Sequence, residues 1–132
     1  MNPVWQSHWE DGKGNALQAC IASLLNLELE SVPNFIDFPD YLVAINEFLH
    51  PRGLAFLKVK LHSGQLEFAS ASGIYCLVAG PSPRGSHRHI IVAQTSGPGF
   101  EPIHDPFPEG GNLAGPPDWA GFIIPLVPWG SD

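Results

Sequence analysis

The sequence predicts an α+β fold, with N-terminal helices packed on a mostly antiparallel sheet of four to five strands. Three observations carry this expectation. Helix-forming runs are confined to residues 16–49. Short apolar runs follow them, each bounded by turn residues. Gly and Pro, at 14 each in 132 residues, supply those turns.

The first helix is expected over Ala16–Leu27, ALQACIASLLNL, a stretch of good helix formers without Gly or Pro. Asn15 precedes it in an N-cap position, where its side chain would accept from a first-turn amide. Leu17, Cys20, Ile21, Leu24, Leu25 and Leu27 leave little polar surface, so this helix should be central and buried. A second, amphipathic helix is expected over Asp40–Leu49, stopped near Pro51 and Gly53. Ala55–Leu61 alternates like a strand, with Phe56, Lys58 and Lys60 set against Leu57, Val59 and Leu61. Ile74–Ala79 and His89–Gln94 are short apolar runs. Phe100–His104 turns at Pro106. Ala120–Val127 is the last candidate strand, with Pro125 marking an edge or an end.

Length and composition indicate one domain with enough apolar material for one core, 44% hydrophobic against 14% charged. No internal repeat or linker divides it. The net charge of −7, with only six Lys and Arg, argues against nucleic acid as a partner. The one small basic cluster is Arg84–His89, RGSHRH. No apolar run is long enough for a membrane span, and Met1–Gln6 has no signal-peptide character, so no membrane and a cytoplasmic location are expected. Cys20 and Cys76 form neither a metal pair nor a disulfide framework. No cofactor is implied, and no feature points to an oligomeric state.

The residues able to carry chemistry stand at the ends of the predicted elements. A loop, Gly12–Asn15, delivers the chain into a buried helix at residue 16. A thiol there would feel the positive end of the helix dipole, which favours the thiolate. The residue present is Ala16, which by itself is simply a good first helical residue. His89 opens an apolar strand after the polar loop Gly80–Arg88, a placement that suits a general base. Asp105 follows the next strand, where a hairpin would bring it beside His89 to orient the imidazole; Asp before Pro is equally a common turn pair. Gln6, between Trp5 and Trp9, is placed to donate to an oxyanion near the helix start.

The order glutamine, helix-start residue, strand histidine, aspartate resembles the papain-like cysteine peptidase superfamily. It is most similar to the bacteriocin-processing peptidase domains of ABC exporters and their short bacterial and phage relatives. GNALQACIASLLNLELESVPNF (Gly14–Phe35) resembles the nucleophile helix of that group, HIIVA (His89–Ala93) its histidine strand, and HDPFPEGG (His104–Gly111) its aspartate segment. The resemblance covers residues 4–35 and 84–113. It implies a papain-like fold and a protein or peptide substrate. It assigns Gln6 as oxyanion donor, position 16 as nucleophile, His89 as base and Asp105 as its orienter.

Two departures stand out. Gln6 lies ten positions before residue 16, further than in the exporter peptidases. Ala16 stands where the family has cysteine, so the chain is either an inactivated Cys→Ala form or a natural pseudoenzyme. The retention of His89 and Asp105 favours the former.

Four readings follow. The leading one is a cysteine peptidase or amidase that cleaves a peptide or isopeptide bond. A glutamine deamidase or acyltransferase would use the same triad. A catalytically dead peptide-binding module would keep the cleft alone. A metal site at His87, His89, His104 and Asp105 is the fourth, on spacing that is not diagnostic. Cys20 lies one turn beyond residue 16 and deeper in the core, and Cys76 is inside a strand, so neither is favoured as nucleophile. The loops Gly80–Gly85 and Pro106–Pro117 are expected to flank the cleft and set specificity. Trp5, Trp9, Trp119 and Trp129 are expected to close the cleft, form an interface or pack the two ends together.

Overall fold

A computed structural model describes residues 1–9, 14–69 and 72–127. Among them lie two α-helices, three 3-10 turns and a five-stranded antiparallel sheet. The α+β class therefore stands. Trp129 and the Gly12–Lys13 part of the loop before the first helix lie outside the described residues.

Helix α1 spans Ala16–Leu25. It ends where Asn26 adopts the left-handed conformation (φ 57°), with the Asn26 amide donating to Ser23 O and the Leu27 amide to Ala22 O. That pair of bonds satisfies carbonyls the last turn would otherwise leave open. Helix α2 spans Tyr41–Leu49, and Asp40 caps it by accepting from the Leu42 and Val43 amides. His50–Arg52 continues as a 3-10 turn and stops at Gly53, whose φ of 74° suits glycine.

The strands are β1 (Leu54–Lys60), β2 (Tyr75–Pro81), β3 (Arg88–Ser96), β4 (Gly99–His104) and β5 (Trp119–Pro125). Their spatial order is β1-β5-β2-β3-β4, so the last strand in sequence sits between the first two. Pro125 ends β5 rather than marking an edge; β1 and β4 are the edges.

Helix α1 packs on β3 and β2, and α2 packs on β1. Leu17, Cys20 and Ile21 of α1 join Ile45 and Leu49 of α2, with Phe56, Leu77 and Val92 rising from the sheet. Alternation along the strands sends Cys76, Val78, Ile91, Ala93 and Ala120 into a second cluster with Leu61 and Leu66. Both faces of β2 and β3 are thus covered, which explains their unbroken apolar sequences. Each large aliphatic side chain so buried contributes about 2 kcal/mol of transfer free energy.

Phe56 crosses over Gly121 of β5. A Cβ on Gly121 would stand 2.2 Å from Phe56 Cζ, so only glycine fits beneath that ring. Asn46 of α2 accepts from the Phe56 amide at 2.9 Å, and its amide group reaches the Phe56 carbonyl at 3.5 Å. It thereby occupies part of the open edge of β1. Leu57, on the alternate side, is left 49% exposed. No helix of the described residues is long and apolar enough to cross a membrane.

Candidate active site

Three elements converge at the start of α1: the N-terminal segment, the loop into β3, and the turn after β4. The N-terminal segment is tied down along its length. The Asn2 amide donates to Ser23 O, and the Val4 amide to Ser23 Oγ. His104 Nε2 donates to the Val4 carbonyl at 2.7 Å, and the Gln6 amide donates to Pro106 O. Gln6 is therefore fixed between α1 and the end of β4.

Asn15 is the residue whose role the sequence misassigned. It occupies the N-cap position, but its side chain makes no capping bond. Its Oδ1 accepts instead from the Ser7 and His8 amides at 3.0 and 2.9 Å, and its Nδ2 donates to Ser7 Oγ and Gln18 Oε1. Asn15 is only 2% exposed. Its four bonds satisfy a buried amide and clamp the segment after Gln6 to the start of the helix. Its short sequence neighbourhood looked like an ordinary cap, because the partner segment lies eight residues upstream.

The His89 and Asp105 side chains meet. Asp105 Oδ1 accepts from His89 Nε2 at 2.7 Å, and their side chains are 3% and 6% exposed. A β-bulge makes this contact possible. Ala93 pairs with Pro102, yet Val92 pairs with His104, so Ile103 is an extra residue. The shift carries Asp105 onto the face shared by Ile91 and His89; without it, Asp105 would fall on the face of Ile90. His89 and Asp105 are thus diagonal rather than directly opposite.

The carboxylate is further held by the Phe107 amide on Oδ1 and the Asn112 amide on Oδ2. Burial works to raise the Asp105 carboxyl. The His89 bond, the backbone amides and the His89 charge outweigh it, so the carboxyl titrates below its ordinary value. An ionised Asp105 fixes the proton of a neutral His89 on Nε2, leaving Nδ1 as the acceptor.

Gln6, Ala16, Leu17 and His89 line one cleft of about 310 Å³, with Trp9, Gly14, Ile36, Arg84, His87, Arg88 and Ile90. Gln6 is 6% exposed. Its Nε2 donates to the His8 carbonyl at 2.8 Å, which uses one of its two N–H groups. Its Oε1 is buried with no partner among the described residues. Ile36, in the 3-10 turn Phe35–Asp37, is a lining residue the sequence did not single out. Its exposed position after a Pro-Asn turn carries no distinguishing signal. The Gly80–Gly85 loop reaches the cleft through Arg84, whereas Leu113, Gly115 and Pro117 of the later loop line a separate pocket.

Cys20 is not at the cleft. It is fully buried, its Sγ donates to Ile90 O at 3.5 Å, and burial, then the Asp105 charge, push its pKa well up. Burial pushes Cys76 to about 12. Among the described residues, no group of three or more His, Cys, Asp or Glu is placed to hold a metal ion, and His104 is engaged with Val4. The three described tryptophans pack against different aromatic partners. Trp5 packs edge-on against His104, Trp9 against Phe107, and Trp119 near Tyr41.

No family model matches the chain, and no curated protein or solved structure is found similar to it.

Proposed function

We propose that this chain has a papain-like fold and the site of a cysteine peptidase or amidase, present with alanine at the nucleophile position. The observation that carries the reading is the buried Asp105–His89 pair on the same cleft as Ala16, the first residue of a buried helix. An acid that fixes an imidazole tautomer at a cleft, beside a helix N-terminus, matches what a thiol nucleophile requires.

With a thiol at position 16, His89 Nδ1 takes its proton, helped by the dipole of α1. The thiolate attacks the carbonyl carbon of a peptide or isopeptide bond. Gln6 and the amide of residue 16 donate to the oxyanion. The imidazolium gives its proton to the leaving amine, and a thioester remains. Water, deprotonated by His89, hydrolyses it; an amine acceptor in place of water would make the enzyme an acyltransferase, and a glutamine side-chain substrate a deamidase. The Ala16 methyl performs none of these steps. Ala16 itself favours the alternative of a catalytically silent peptide-binding module with the same cleft.

The test is Ala16→Cys, with iodoacetamide labelling mapped by mass spectrometry. The new thiol should label at least about a hundredfold faster than Cys20 or Cys76, and His89→Ala should slow it. Equal labelling of all three thiols, or indifference to His89→Ala, would reject the site. A cysteine codon at position 16 in the encoding gene would eliminate the silent-module alternative.

A further inference from the structure

The cleft differs in charge from the rest of the chain. The sequence has 13 Asp and Glu against six Lys and Arg. Among the described residues, however, the cleft lining includes Arg84, His87, Arg88 and His89 and no Asp or Glu. Arg88 is neutralised by an ion pair with Asp118. Arg84 is not: among the described residues it has no carboxylate partner. Its Nη1 donates to the Gly110 carbonyl at 3.3 Å, and its guanidinium lies 3.6 Å over the Phe107 ring.

Stacking fixes the plane of that guanidinium, and a neutral carbonyl takes one of its five N–H groups. A positioned, partly buried cation without a carboxylate partner among the described residues is matched by an anion that presents two oxygens. Trp9 packs edge-on against the same Phe107 ring, with centroids 5.9 Å apart. Trp9 and Ile36, 50% and 41% exposed, add apolar surface to the cleft.

We propose that the cleft binds a peptide through a carboxylate held by Arg84, with a neighbouring apolar side chain against Trp9 and Ile36. An acidic side chain and a free C-terminus present the same chemistry. The inference names the substrate class of the hydrolase site and rests on that reading only for what happens to the peptide once bound.

Binding is measured on the Ala16 chain, which cannot consume its ligand. The probes are N-terminally labelled peptide pools in which one dipeptide is fixed as Phe-Glu or Phe-Gln, each with a free or an amidated C-terminus, read by fluorescence polarisation. Pools that present the recognised carboxylate should bind at least about tenfold more tightly than the amidated Phe-Gln pool. If the side chain is the source, Phe-Glu wins with either end. If the terminus is the source, free ends win with either dipeptide. Arg84→Gln should abolish the preference and Arg84→Lys should retain part of it. Ile36→Ser should weaken every pool while leaving the preference intact. Added salt should shrink the preference of the unaltered chain, a check independent of any variant's folding. Equal binding of all pools, binding of none, a preference that survives Arg84→Gln, or one indifferent to salt overturns the proposal. Because reactivity is read separately on Ala16→Cys, failure of the carboxylate preference and failure of the hydrolase reading are distinguishable.

Discussion

His89 Nε2 and Asp105 Oδ1 lie 2.7 Å apart, and the backbone amides of Phe107 and Asn112 point at the same carboxylate. The pair is therefore not a loose surface contact. It is the knot that joins the start of β3 to the turn after β4.

Asp105→Asn should destabilise the fold by about 2 kcal/mol, since it removes the charge from a site that accepts three hydrogen bonds. The effect has a definite pH dependence. The folded-state carboxyl titrates below its ordinary value, so the folded chain binds fewer protons there than the unfolded chain. The stabilisation is complete above the ordinary aspartate range and is lost as pH falls through the lower folded value. Thermal melts of the two proteins should converge in acid; a gap that stays constant would refute this.

Asn15→Ala should release residues 7 and 8 from the start of α1 and cost about 2 kcal/mol, because the Ser7 and His8 amides lose their acceptor. In the Ala16→Cys background it should also slow iodoacetamide labelling beyond what the stability loss explains. Labelling at an unchanged rate would mean that Asn15 only holds the fold.

Gly121→Ala should be among the most damaging small substitutions in the sheet. The added methyl meets Phe56 Cζ at 2.2 Å, so the ring or the strand must move, at a cost of about 2 kcal/mol or more. Phe56→Leu in the same chain should recover part of that loss. The check is a double-mutant cycle by denaturant unfolding; purely additive effects would break the proposed contact.

Cys20 and Cys76 should resist alkylation in the folded chain and label only on unfolding, since both are fully buried with raised pKa values. Fast native labelling of either by a maleimide would contradict the packing described for α1 and β2.

What could be read from the sequence was what local pattern encodes. The helix at Ala16, the helix ending at Leu49 and five apolar strand runs all appear within a residue or two of their expected places, because periodicity and turn residues are local signals. The ends of those runs also exposed His89 and Asp105 as neighbours. The bulge at Ile103 that makes them touch left no local mark, and neither did the placing of β5 between β1 and β2. Strand order depends on which surfaces meet across the whole chain. Asn15 illustrates the same divide: a polar residue before a helix reads as a cap until the segment that competes for its side chain is in view.

The position of β5 bears on how the molecule assembles. Among the described strands, β1 pairs only with β5, so the 58 positions between Lys60 and Trp119 must be in place before the first strand gains a partner. The β2–β3–β4 meander, joined by short turns, can zip without that wait. A ribosome would thus present a meander with α1 against it well before α2 and β1 have a sheet to join. The His89–Asp105 pair lies wholly within the early part, and the strand that closes the sheet is the last of the described strands to be made.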